Sequence, residues 1–116
     1  MKLIHYCEAA AKVFDKDPAR GVTGRVVIGK DDGAEHFCMR VFELSPGGYT
    51  PRHRHSWEHE IFVHACSGVV FRQGQWVDIQ PGNVIFIPGE EEHQFKNMGS
   101  EPLIFVCLIP SGVPEL

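Results

Sequence analysis

The chain has no run of basic residues, no long apolar stretch and no closely paired cysteines, and each absence removes a class of function. Lys and Arg number 11 against 15 Asp and Glu, for a net charge of −4 and a pI near 5.9. Nucleic acid and anionic membrane both need clustered cations, so neither partner is expected. No apolar segment approaches the roughly 20 residues of a membrane span. Cys7, Cys38, Cys66 and Cys107 stand far apart without a CxxC pair, which argues against a zinc ribbon or a thioredoxin-type motif. No stretch reads as a secretory signal, so free thiols in a reducing cytoplasm are expected rather than disulfides. Repeats, long linkers and low-complexity tracts are also missing. At 116 residues and 43% hydrophobic content, the chain is expected to be one domain with a modest core.

What is present is β-patterning. From Arg25 onward, short runs of β-branched and aromatic residues alternate with Gly, Pro and Asp turns. In His36–Leu44 the alternation predicts Phe37, Met39 and Val41 on one face and Cys38, Arg40 and Phe42 on the other. Ser45-Pro46-Gly47-Gly48 reads as a turn. Gln73-Gly74 between Val69–Arg72 and Gln75–Ile79 is a hairpin signal. Ile61, Phe62 and Val84 to Ile87 read as core, and Leu103–Ile109 as a last apolar strand. Residues 1–22 leave helix and strand both open. The division expected is an N-terminal edge strand or arm over 1–24, a barrel over 25–110 and a tail over 111–116. Eight or nine short strands in so short a chain imply an all-β sandwich or small barrel.

Onto this pattern the sequence places His53, His55, His59 and His93. Imidazole is the commonest metal-binding side chain, and residues two apart on a strand share a face. His53 and His55 can therefore enter one cavity, and barrel closure can bring His93 to them. His5, His36 and His64 are isolated and read as structural or surface residues.

Two motifs carry a resemblance. Gly47-Gly-Tyr-Thr-Pro-Arg-His53-Arg-His55 followed by His59-Glu60 resembles the first cupin motif. Gly82 through Pro88-Gly89 to His93 and Asn97 resembles the second. The chain also resembles a small hyperthermophile cupin that binds manganese through four histidines, down to the closing Cys107-Leu-Ile-Pro110. The resemblance implies a cupin jelly-roll β-barrel with a divalent metal on His53, His55, His59 and His93. The usual third ligand is a glutamate, and Glu60 competes with His59 for that place. Glu58 and Glu60 are otherwise candidates to orient the imidazoles. Glu90 also fills a place where the second motif usually has glycine.

Manganese or iron is the expected ion, although bare affinity favours nickel, copper or zinc. Phe105 and Cys107 share a strand parity and, with Arg40, are candidates to line the substrate pocket. Trp57 reads as packing beside the ligand run. The resemblance also implies a homodimer acting on a small organic molecule. The first functional expectation is a metal-dependent, dioxygenase-like oxidoreductase, with carbon–carbon cleavage as its reaction class. Lewis-acid isomerase or lyase chemistry, or non-enzymatic binding of a metal or small molecule, are the alternatives.

Overall fold

Nine strands, each too short to bury a face alone, roll into one curled antiparallel sheet. The computed structural model describes residues 1–116. In chain order the strands are β1 (Ala11–Phe14), β2 (Arg20–Ile28), β3 (Phe37–Tyr49), β4 (His59–Ala65), β5 (Gly68–Arg72), β6 (Gln75–Ile79), β7 (Val84–Ile87), β8 (Gln94–Lys96) and β9 (Leu103–Pro110). They pair in the order β6-β5-β8-β3-β9-β4-β7, and β2 adds to β3 and carries β1 at its far edge. The only helical pieces are single 3-10 turns at Tyr6–Glu8 and Lys30–Asp32. The result is an all-β, single-domain jelly roll. No helix is long and apolar enough to cross a membrane.

Strict alternation along β9 explains how the barrel fills. Leu103, Phe105, Cys107 and Ile109 point inward and are buried, whereas the residues between them face out. Register then builds rungs across the inner wall. Arg40 of β3 and Ile61 of β4 both pair with Cys107. Phe42 and Val63 both pair with Phe105. Leu44, Leu103 and Val63 are fully buried at the centre. Asn97 is fully buried too, and its side-chain amide donates to Leu44 O at 2.9 Å and Glu101 O at 2.7 Å, which pins the loop between β8 and β9.

Several sequence expectations change. Ser45–Gly48 is no chain reversal but part of β3. Arg20 pairs with Tyr49 and Val22 with Leu44, so only Gly21 of β2 spans those four residues, as a bulge. Gly21 and Gly47 take the positive φ that such a bulge needs. The barrel boundary expected at residue 25 lies within β2, which begins at Arg20, and the segment expected as an edge strand or arm carries β1 as an edge strand. In β7 only Ile87 is fully buried. Val84 and Phe86 are exposed, as is Phe62 of β4. A strand with one wetted face alternates, and a run of four apolar residues had concealed that alternation. The Gln73-Gly74 hairpin is present, with positive φ at both residues as a type I′ turn requires.

Candidate metal centre

Three of the imidazoles are brought together by backbone pairing. His53 and His93 face each other as an isolated antiparallel bridge, with N–H to C=O distances of 3.2 and 3.0 Å in the two directions. Their rings lie 4.7 Å apart, and the His55 ring is 5.2 Å from His53 and 5.1 Å from His93. The potential ligand atoms of His53, His55 and His93 all fall within 4.8 Å of one another. His59 lies outside that set but adjoins it. Its Nε2 is 2.9 Å from Nε2 of His55, and its ring is 5.0 Å from that of His93.

The orientation of the rings fits a cation. Nδ1 of His53 lies 2.9 Å from Pro51 O, that of His55 2.8 Å from Trp57 O, and that of His93 2.9 Å from Glu91 O. A carbonyl can only accept, so each Nδ1 carries the proton and each Nε2 keeps a free lone pair. His55 Nε2 is thus an acceptor facing His59 Nε2 at 2.9 Å, a separation that two imidazoles sharing one ion would also adopt. His59 is held differently, with its Nδ1 3.3 Å from Cys107 Sγ and 3.4 Å from Arg40 Nη2. Trp57 stacks flat on His55 at 4.1 Å and steadies that ring.

Burial favours the neutral form of His55, His59 and His93. It pushes His59 down to about 3, helped by the Arg40 guanidinium and the other imidazoles. It pushes His93 down to about 4 against the opposing pull of Glu91 O, and it lowers His55 as well. A neutral imidazole is the form that binds metal. Burial also raises the Cys107 thiol, with Arg40 acting in the opposite direction. All four cysteines are free.

The carboxylates do not take the roles expected of them. β4 alternates, so His59 points in while Glu60 points out, and Glu58 is also exposed. Neither orients an imidazole; backbone carbonyls do so instead. Nothing in the sequence marks Pro51 O, Trp57 O and Glu91 O as those acceptors. Two residues around the site carry backbone signals. Gly89 packs so closely on the Ser56 carbonyl that a Cβ would collide with it, and Glu90 N–H donates to His55 O at 2.7 Å. Glu90 itself has φ +68°, which explains why the equivalent place favours glycine. Of the isolated histidines, His5 caps the first 3-10 turn through Nδ1, and His36 and His64 lie exposed.

The four imidazoles open onto a cavity of about 250 Å³ inside the barrel. Arg40, Phe105 and Cys107 all lie on its wall, with Phe42, Phe95, Trp57 and Ile61 beside them. The N- and C-terminal segments contribute Phe14 and Leu116, which the sequence did not signal. No Asp or Glu side chain lines the cavity.

A β-barrel with an inward histidine cluster of this kind defines a class, and sequence comparison agrees. The Cupin_2 family (Cupin domain) matches residues 40–109, and the chain belongs to it. Among solved structures, the polyketide cyclase RemF from Streptomyces resistomycificus superposes with a TM-score of 0.91. It is 36% identical, and the match covers 98% of this chain and 82% of that one. An oxalate-binding protein of Thermotoga maritima is 34% identical over 80 residues, covering 66% of each chain. A glucose-6-phosphate isomerase of Thermococcus gammatolerans is 31% identical over 118 residues, covering 90% of this chain and 61% of that protein. The chain spans 58% and 66% of the length of the first two curated relatives.

Proposed function

We propose that this chain is a divalent-metal cupin that binds a small poly-carbonyl compound and promotes its enolisation and ring closure. The observation that carries the reading is the cluster of four imidazoles facing an apolar, aromatic-walled cavity without an Asp or Glu side chain. His53, His55, His93 and His59 would hold the ion, which when bound supplies Lewis-acid polarisation of a ketone oxygen. The wall then shapes the ligand. Phe42, Phe95, Phe105 and Ile61 exclude water and favour a folded, flat carbon skeleton. A cavity of about 250 Å³ takes one or two rings, given that roughly 150 Å³ holds benzene, and a longer ligand would extend through the mouth. With the four imidazoles taken up by the ion and no Asp or Glu side chain on the wall, the reading requires a substrate that ionises with little base catalysis. A methylene between two carbonyls meets that condition, because it ionises with modest help. The likeness to a polyketide cyclase supports the same class.

A second reading, the metal-dependent oxygenase, is supported by the same exposure of all four imidazoles to a ligand cavity. Manganese and iron suit either reading and are the first ions to test, with zinc, nickel and copper alongside. A homodimer belongs to the proposal, supported by Phe62 and Val84, which pair across β4 and β7 on the exposed outer face beside Phe86.

The deciding experiment has two parts. Metal content by elemental mass spectrometry, on the wild type and the four single His→Ala variants, should show near-stoichiometric ion that the variants lose. The loaded protein, incubated without oxygen with a synthetic aryl triketone, should then yield an aromatic product by aldol ring closure, in which an enol carbon bonds to the far carbonyl carbon and that carbonyl's oxygen leaves as water. Turnover that requires and consumes oxygen moves the protein to the second reading. Failure to hold any of the five ions overturns both.

A further inference from the structure

We propose that Arg40 is an anion-recognition residue and that the cavity's ligand is an organic carboxylate, bound with its acidic group on the guanidinium. The inference rests on the reading that the cavity takes a small organic ligand, but it does not depend on the metal. Arg40 is only 7% exposed and lies on the cavity wall. Its Nη1 donates to Glu115 O at 3.2 Å and its Nη2 to Cys107 Sγ at 2.9 Å. Its Nε is the only buried side-chain nitrogen or oxygen without a hydrogen-bond partner. No carboxylate forms an ion pair with it; every ion pair in the chain involves Lys2, Arg20 or His36.

A buried charge without a counterion is costly and is normally paired. Packing alone does not account for it, since an apolar residue would fill the same place beside Cys107 at no such cost. The Phe42 ring lies 5.0 Å from the guanidinium carbon and helps to hold the group in place. Arginine's planar fork suits a carboxylate, and a cation in an otherwise apolar cavity selects strongly for an anion. The position adds a length constraint. Arg40 Nη2 is 3.4 Å from the far side of the His59 ring, so one compact ligand can face the imidazole cluster and the guanidinium together. The ligand class is therefore a small aryl or keto acid.

The test is calorimetric titration with 2-hydroxybenzoate and with 2-hydroxybenzamide, its neutral isostere. Both are titrated into metal-loaded and chelator-stripped full-length protein, as wild type, Arg40→Met and Arg40→Lys. The wild type should bind the carboxylate on the order of ten- to a hundredfold tighter than the amide in both metal states, as expected for a charge-assisted hydrogen bond. Arg40→Met should lose the preference, and Arg40→Lys should keep part of it. Equal binding, no carboxylate binding, a preference confined to the metal-loaded form, or one that survives Arg40→Met each overturns the proposal. If Arg40→Met fails to fold, the stripped wild type decides. A carboxylate preference without triketone cyclisation would sink the cyclase reading alone, and cyclisation without the preference would sink this inference alone.

Discussion

Acid should unfold the metal-free protein through two particular residues, His59 and His93. An ordinary histidine takes up a proton near pH 6.5. In the folded chain burial holds His59 down to about 3 and His93 down to about 4. Between pH 6.5 and about 4 the unfolded chain therefore binds up to two more protons at these positions than the folded chain does. Stability rises with pH wherever the unfolded state binds more protons. The contribution is thus fully present above pH 6.5 and is lost progressively as pH falls toward the folded values. Each histidine adds a slope of about 1.4 kcal/mol per pH unit, so the pair adds about 3. From pH 6.5 to 4.5 the loss is on the order of 5 kcal/mol, comparable to the whole stability of a marginal domain. Both residues are well buried, at 7% and 4% exposure, so solvent screening does little to dilute it. Urea unfolding followed by tryptophan fluorescence at pH 7, 6 and 5, in chelator and in saturating metal, measures the slope. His59→Gln should remove about half of it. The metal-loaded protein should resist to lower pH, because the ion competes with the protons. A stability flat across this range, or a slope that persists in the His59→Gln/His93→Gln double variant, would refute the reasoning.

Three further outcomes follow from single positions. Gly89→Ala places a methyl group against the Ser56 carbonyl. It should displace the loop carrying His55 and weaken metal affinity about tenfold or more in a competitive chelator titration, more than it lowers stability. Glu90→Gly relieves a left-handed non-glycine residue and should raise the unfolding free energy by up to about 1 kcal/mol, read as a higher urea midpoint with metal absent. Phe62→Lys puts a charge in the exposed apolar face of β4 and β7. Sedimentation should show it as a monomer where the wild type is a dimer, and a monomeric wild type would remove the dimer from the proposal.

The sequence was most legible where local pattern and global fold agree. Strand parity correctly grouped Cys38, Arg40 and Phe42 on one face and Phe105 with Cys107 on another, and Gln73-Gly74 announced its turn. The histidine spacing pointed to one cavity because period-two geometry needs no tertiary information. Legibility failed where long-range pairing decides. The bulge that keeps Ser45–Gly48 inside β3 exists only because β2 and β8 pair on either side. Val84 and Phe86 look like core residues until their strand is seen to have an open face. Glu60 competed with His59 for the third place because family spacing is counted in residues, whereas strand parity turns His59 inward and Glu60 out. The orienting carbonyls had no signal at all, since every residue has one.

That anonymity of the carbonyls bears on how the site can evolve. Three of the imidazoles hang from main-chain oxygens, and no point substitution deletes a main-chain oxygen. Their tautomers are insulated from mutational drift as long as the loops keep their course. His59 is the exception, because its Nδ1 faces two replaceable side chains, Cys107 and Arg40. Descendants of this sequence would be expected to vary at positions 40, 59 and 107 together, as a coupled trio, while the other three imidazoles stay fixed. One corner of the site would thus be free to explore new chemistry while the rest preserves the ability to hold an ion.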